Sequence, residues 1–168
     1  MIRNAEMSDM MGIMEVVKET IQEMSLNNNY QWDENYPLIE DFTKDIEART
    51  LYVLEEEGII IGFICINRSE PLEYKDLKWG LEEEAFIIHR MAVRKSFRWK
   101  GIGSKLIKFA DNISEENKVR HIKTDTYSLN IKAQNLLEKC GYIFKGKINF
   151  LGKEESFYCY ERIFKQIL

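Results

Sequence analysis

Residues 94–108 read Arg94-Lys95-Ser96-Phe97-Arg98-Trp99-Lys100-Gly101-Ile102-Gly103-Ser104-Lys105-Leu106-Ile107-Lys108, with six cations and no anion. The whole chain has a formal net charge of −4, so this stretch is a cationic island on an acidic protein. Such an island suits an anionic ligand held at one place. The glycines indicate how it would be held. Gly101 and Gly103 precede an apolar pattern of helical spacing, Leu106, Ile107, Ala110 and Ile113. The first four N–H groups of a helix lack internal partners, and its N-terminus carries partial positive charge. Glycine there lets a bulky anion approach the backbone. The natural guest is a phosphate or a pyrophosphate. A solvated basic turn capping a helix is the plainer alternative for the loop taken alone.

Spacing excludes two phosphate loops. A Walker loop places four residues between its first glycine and a Gly-Lys-Ser/Thr ending. Here Ser104 and Lys105 follow Gly103 in the wrong order, and Arg98 stands where the first glycine belongs. The dinucleotide fingerprint needs a third glycine three residues after the second, and that position is Leu106. What remains is Arg-x-x-Gly-x-Gly at Arg98, Gly101 and Gly103. It follows Ala85–Val93, which is apolar on both alternating faces, as a central strand is.

Other elements must position this loop. Ile2–Ala5 reads as a short strand. Ser8 is an N-cap for a helix running to about Met24, with Ile13, Val16, Val17 and Ile21 as its apolar stripe. Asn27-Asn28-Asn29 breaks it, Tyr30–Pro37 is a loop, and a second helix covers about Ile39–Ala48. Leu51–Glu56 and Ile59–Asn67 are strands joined by a tight turn at Glu57-Gly58. Residues 68–83 form a polar connection without a clear element. After the basic helix come a strand at His121–Thr126 and a helix from Asn130, closed by Gly141. Two further strands follow, about Tyr142–Ile148 and Ser156–Arg162, around a turn at Gly152. The reading is one mixed α/β domain over residues 1–168.

Composition narrows the class. At 45% hydrophobic and 31% charged residues, the chain can bury a core and stay soluble. The longest apolar run, 58–66, is too short for a bilayer, and the start lacks a signal-peptide pattern. Cys65, Cys140 and Cys159 have no metal spacing and sit in apolar settings. They read as reduced thiols of a cytoplasmic protein that uses no metal. The acidic balance outside the island argues against nucleic acid as a partner.

The Arg98–Gly103 loop behind its buried strand resembles the acetyl-CoA loop of the GCN5-related N-acetyltransferase superfamily. A second hallmark supports the likeness. Asn130 opens a helix, Ala133 follows three residues later, and Gly141-Tyr142 closes it. The ordered motifs span residues 85–144. The resemblance implies a mostly antiparallel central sheet, splayed between its fourth and fifth strands and flanked by helices. It implies acetyl-CoA as cosubstrate and direct acetyl transfer to an amine. The pyrophosphate is then expected on the backbone of Lys100, Gly101, Ile102, Gly103 and Ser104, with Arg98 and Lys105 pairing with phosphates. Met91 and Val93 are expected to bond the pantetheine arm from one side, and Asn130 from the other while also capping its helix.

Direct transfer requires positioning, a polarised carbonyl and proton removal from the ammonium. His89 matches a histidine that lies by the amine in serotonin N-acetyltransferase, and its ordinary pKa of about 6.5 suits a base. A structural histidine, or Glu82, Glu83 or Glu84 acting through water, are the alternatives. His121 reads as structural. Many relatives carry a Tyr seven residues after the Asn, which protonates the thiolate; this chain has Leu137 there. Tyr127, Ser128 or a water are the replacements. Tyr142 reads as core. In this fold the loop after the first helix forms part of the acceptor pocket. Here Trp32, Asp33 and Tyr36, with Tyr30 and Glu34, suit a cationic amine or simply pack on the sheet edge. A small-molecule amine acceptor is expected, with a homodimer left open. A protein N-terminus or lysine as acceptor, and a non-catalytic acyl-CoA-binding module, are the competing readings.

Overall fold

The structure, a computed structural model, describes residues 1–165. Among the described residues seven strands are present: β1 (Ile2–Asn4), β2 (Leu51–Glu56), β3 (Ile59–Asn67), β4 (Phe86–Val93), β5 (His121–Tyr127), β6 (Ile143–Ile148) and β7 (Phe157–Ile163). Four helices accompany them: α1 (Met10–Leu26), α2 (Ile39–Glu47), α3 (Ile102–Glu116) and α4 (Ile131–Lys139). The strands hydrogen-bond in the order β1-β2-β3-β4-β5-β7-β6. β4 and β5 run parallel, while β1/β2, β2/β3, β5/β7 and β6/β7 are antiparallel. This is the mixed sheet that the alternating patterns predict. Registered pairing of β4 with β5 is confined to Phe86–Ile88 and Ile122–Thr124.

The described residues form two compact units, residues 1–66 with 90–106 and residues 67–89 with 107–165. The first unit holds α1 and α2 against β1, β2, β3 and the end of β4. Its core contains Ile13, Val16, Val17, Phe42, Leu51, Val53, Phe63 and Ala92. Asp9, rather than Ser8, closes the entry to α1: its carboxylate accepts the Glu6 N–H at 2.8 Å. The hairpin between β2 and β3 turns at Glu57 and Gly58, both left-handed (φ +52° and +76°). That is the geometry which a two-residue hairpin requires.

The second unit packs the front of β4, β5, β7 and β6 with α4 and the body of α3. Its polar connection is not featureless. A 3-10 turn at Leu72–Asp76 buries Tyr74 completely, in a core with Ile87, Tyr127, Phe157 and Cys159. Tyr74 and Trp79 are the apolar anchors that a polar-looking stretch conceals. Cys65 and Cys159 are buried thiols and Cys140 is half-buried; none is in a disulfide.

Candidate active site

In the first unit β4 leads into a 3-10 turn at Lys95–Phe97 and then into two left-handed residues, Trp99 (φ +68°) and Gly101 (φ +75°). Lys105 N–H bonds back to the Gly101 carbonyl at 3.0 Å. The N–H groups of Ile102, Gly103 and Ser104 precede that first helical bond and point out of the helix end. A Cβ on Gly101 would meet nothing within 4 Å, so glycine serves the backbone conformation there and the space before the helix stays open. Lys100 and Lys105 are exposed beside it. Outward amides, a positive helix end and two ammonium groups are a donor set that fits a pyrophosphate.

The island's arginines are committed to protein partners. Arg94 pairs with Glu15 at 2.9 Å and Glu19 at 3.2 Å, and its Nε–H donates to the Ile60 carbonyl. Arg98 pairs with Glu23, and its Nε–H donates to the Val93 carbonyl at 3.0 Å. Lys95 N–H donates to Glu19. Glu15, Glu19 and Glu23 lie four residues apart on α1, hence on one face, and together they clamp the loop. Arg98 therefore acts as a strut for the loop, and the Val93 carbonyl has a donor in Arg98, which leaves the arm expected at Val93 to its N–H. Met91 is half-buried.

The acceptor-loop residues divide. Trp32 is 5% exposed and stacks on Phe63 with an interplanar angle of 3°. It is a core residue, which corrects its expected role as an amine contact. Tyr36 OH accepts from Arg90 Nη1 at 2.9 Å, and Arg90 grips Asp45 through Nε and Nη2 at 2.6–2.9 Å. Burial works against the Arg90 charge, yet Tyr36 and Asp45 hold its pKa above the ordinary value. The loop is thus bolted to β4. Asp33 Oδ1 accepts the Asn35 N–H at 2.8 Å. With Glu34 it edges a hollow of about 230 Å³ whose apolar wall includes Met14, Val17 and Ile21 of α1 and Pro37.

In the second unit His89 Nε2 lies 2.7 Å from Asn67 Oδ1. An amide oxygen only accepts, so in this contact Nε2 is the donor. Asn130 caps α4 as expected, its Oδ1 accepting Ala133 N–H at 3.3 Å. Tyr127 is 2% exposed, and its hydroxyl accepts from Glu155 N–H at 3.3 Å. The ring belongs to the core, which speaks against it as the thiolate's proton donor. Leu137 is likewise buried. Ser128 Oγ is buried with no hydrogen-bond partner among the described residues. Tyr142 is core, donating to Asp111 at 3.2 Å. His121 is wholly buried against Glu161 (2.8 Å), and burial lowers its pKa.

One polar group escaped the sequence reading. Asp125 Oδ2 accepts the Tyr74 hydroxyl at 2.6 Å. Burial pushes its pKa up to about 6, Tyr74 opposing and Glu73 adding to the rise. The available signal was an acid inside an otherwise apolar strand pattern, Ile122-Lys123-Thr124-Asp125. A charge in a central strand needs a partner.

Fold and loop together define a class that the comparisons identify. The profile of the Acetyltransferase (GNAT) family matches residues 17–142. The chain belongs to this family. It is 24% identical over 110 residues to YesJ of Bacillus subtilis (strain 168), named as an uncharacterized N-acetyltransferase. That match takes in 64% of this chain and spans 61% of the relative's length. The crystal structure of a protein from Staphylococcus aureus Mu50, named as an acetyltransferase, is 34% identical, with a TM-score of 0.76 over 97% of this chain and 98% of that one. A GNAT-family acetyltransferase from Streptococcus agalactiae 2603 shares the fold at a TM-score of 0.86 and 24% identity, over 99% and 96% of the two chains.

Proposed function

We propose that this protein is an acetyl-CoA-dependent N-acetyltransferase acting on the primary amine of a small cationic molecule. The observation that carries this reading is the open helix end at Gly101–Ser104, held in place by Arg94 and Arg98 on the Glu15, Glu19 and Glu23 face of α1. The cosubstrate, when bound, supplies an acetyl thioester that an amine can attack directly. The amides of Ile102, Gly103 and Ser104 meet pyrophosphate charge, and Lys100 and Lys105 add to it. Met91, Val93 N–H and Asn130 serve the pantetheine arm. His89 takes the ammonium proton, with Asn67 orienting its ring, the arrangement of a base with an orienting partner. With Leu137 in place of a phenol and Tyr127 in the core, the Ser128 hydroxyl is the uncommitted donor for the leaving sulfur. Asp33 and Glu34 attract the ammonium, and the apolar wall of the hollow suits the hydrocarbon body of the amine. The free thiols at Cys65, Cys140 and Cys159 accord with a reducing compartment such as the cytoplasm.

The test is CoA release from acetyl-CoA with monoamines, diamines and peptides, followed by thiol detection. Amine-dependent release, greatest for diamines, is expected. His89→Gln should lower kcat/KM by about 10²-fold and remove its ascending pH limb, and Asp33→Asn should raise KM for the amine. Acetyl-CoA binding without release for any acceptor would favour a non-catalytic acyl-CoA-binding module instead.

A further inference from the structure

Trp99 is anomalous twice. It is 93% exposed, and it holds φ +68° in a loop otherwise drawn tightly to α1. A bulky side chain in the left-handed region is strained, and an exposed indole gains nothing from burial. The other non-glycine residues with positive φ are Asn28, Arg49, Glu57, Lys118 and Leu151. Trp99 is the aromatic one among the described residues. It sits between Arg98 and Lys100, two residues before Gly101, on the loop that leads into the amides assigned to the pyrophosphate. Its neighbours shape the spot: Lys100 Nζ lies 4.8 Å from the Phe97 ring centroid, and Arg98 is tied down by Glu23 and Val93. An aromatic side chain is thus left uncovered on the loop that leads into an anion site.

From this juxtaposition we infer that Trp99 stacks on the adenine of CoA and makes the loop select a nucleotide-bearing thioester over a bare phosphopantetheine one. The adenosine is joined to the pyrophosphate, so an exposed aromatic side chain on the loop that holds the pyrophosphate can meet the nucleotide half of the molecule. Every base offers a π face, and an aromatic side chain holds it without needing hydrogen bonds. The consequence is donor specificity. Acetyl-CoA is accepted, whereas an acyl group on a carrier protein's phosphopantetheine lacks the partner for the indole. This inference rests on the loop being the cofactor site.

Fluorescence can separate the two levels. Trp32 is buried, and Trp79 is half-buried with its Nε1–H bonded to the Tyr74 carbonyl at 2.9 Å. The long-wavelength emission therefore belongs to Trp99. CoA should quench it, and 4′-phosphopantetheine should not. By calorimetry, Trp99→Ala should weaken CoA at least fivefold, the lower end of what a stacked base contributes. The affinity for 4′-phosphopantetheine should stay unchanged, and Trp99→Phe should recover part of the loss. If CoA binds the parent by calorimetry but neither quenches this emission nor loses affinity in Trp99→Ala, the stacking is wrong while the cofactor site stands. A Trp99→Ala variant that changes the sedimentation of the protein and leaves CoA affinity intact would overturn the proposal in favour of an interface between copies. If the parent binds no CoA, the cofactor reading itself fails, and this inference with it.

Discussion

Two clusters of opposite charge occupy the two units and do different work. In the first unit Arg94 and Arg98 meet Glu15, Glu19 and Glu23. The Glu15 side chain is 58% exposed and that of Glu19 is 34% exposed. Exposed pairs contribute about 0–1 kcal/mol each, so this clamp guides the loop more than it stabilises the fold. In the second unit Lys123, Asp125 and Glu161 point their ionisable groups into a packed face beside the buried His121. Glu161 accepts from His121 and from Gly80 N–H at 2.9 Å, and pairs with Lys145 at 3.1 Å. Burial pushes the Glu161 carboxyl up, but Gly80, Lys145 and His121 outweigh it and hold its pKa below the ordinary value. Lys123 pairs with Glu70 and lies over the Trp79 ring. Buried charges that lose a partner are costly, so this cluster fixes the connection carrying Tyr74 and Trp79. The contrast teaches that charge density alone does not mark a ligand site. What marks it is charge with donors left over.

The largest test of this contrast removes Glu161. Glu161→Ala strands the His121 N–H, the Gly80 N–H and the Lys145 ammonium. It should cost about 3–5 kcal/mol, read as a lowered urea midpoint.

Next in size is Asp125→Asn. The Asp125 pKa is raised to about 6. A raised acid contributes fully below its unfolded value and loses that contribution as pH climbs through the folded one. At pH 8 the buried charge is therefore a burden, and Asn still offers Tyr74 an acceptor. The variant should be more stable than the parent by about 1–2 kcal/mol at pH 8, after allowance for partial exposure. The gain should vanish by pH 4. A pH-independent difference would place the carboxylate's role elsewhere.

The smallest stability effect should come from the clamp. Glu15→Gln, which removes the 58% exposed partner of Arg94, should change unfolding free energy by under about 1 kcal/mol. It should nonetheless weaken acetyl-CoA several-fold, because Arg94 loses one of the two carboxylates that hold the loop. Calorimetry on a variant with unchanged melting separates these two outcomes. Equal affinity would make the clamp a surface pair without influence on the site.

Much of this could be read from local pattern. β2 and β3 carry the predicted bounds, because alternation and a Glu-Gly turn are short-range signals. Asn130 caps α4 because its signal lies within three residues. The loop at Arg98–Gly103 was legible for the same reason. What escaped depends on partners far away in sequence. Arg94 finds Glu19 and Glu15 at separations of 75 and 79 residues, so nothing near Arg94 shows that it is spoken for. Trp32 looked like an amine contact until Phe63 covered it. Tyr127 looked like an acid at a strand end until Phe157 and Glu155 enclosed it. Tyr74 and Trp79 sat in a stretch whose polar neighbours hid its role as a strap. Sequence reports a residue's chemistry, whereas its availability is a property of packing.

The central claim is that the open start of α3 holds the pyrophosphate of acetyl-CoA. Calorimetric titration of acetyl-CoA into the parent and into Gly103→Glu tests it most directly. A carboxylate and a side chain at position 103 would occupy the space before the outward amides and repel the phosphates. Affinity should fall at least tenfold, about 1.4 kcal/mol, with the melting transition retained. Equal affinity in the two folded proteins would contradict the account.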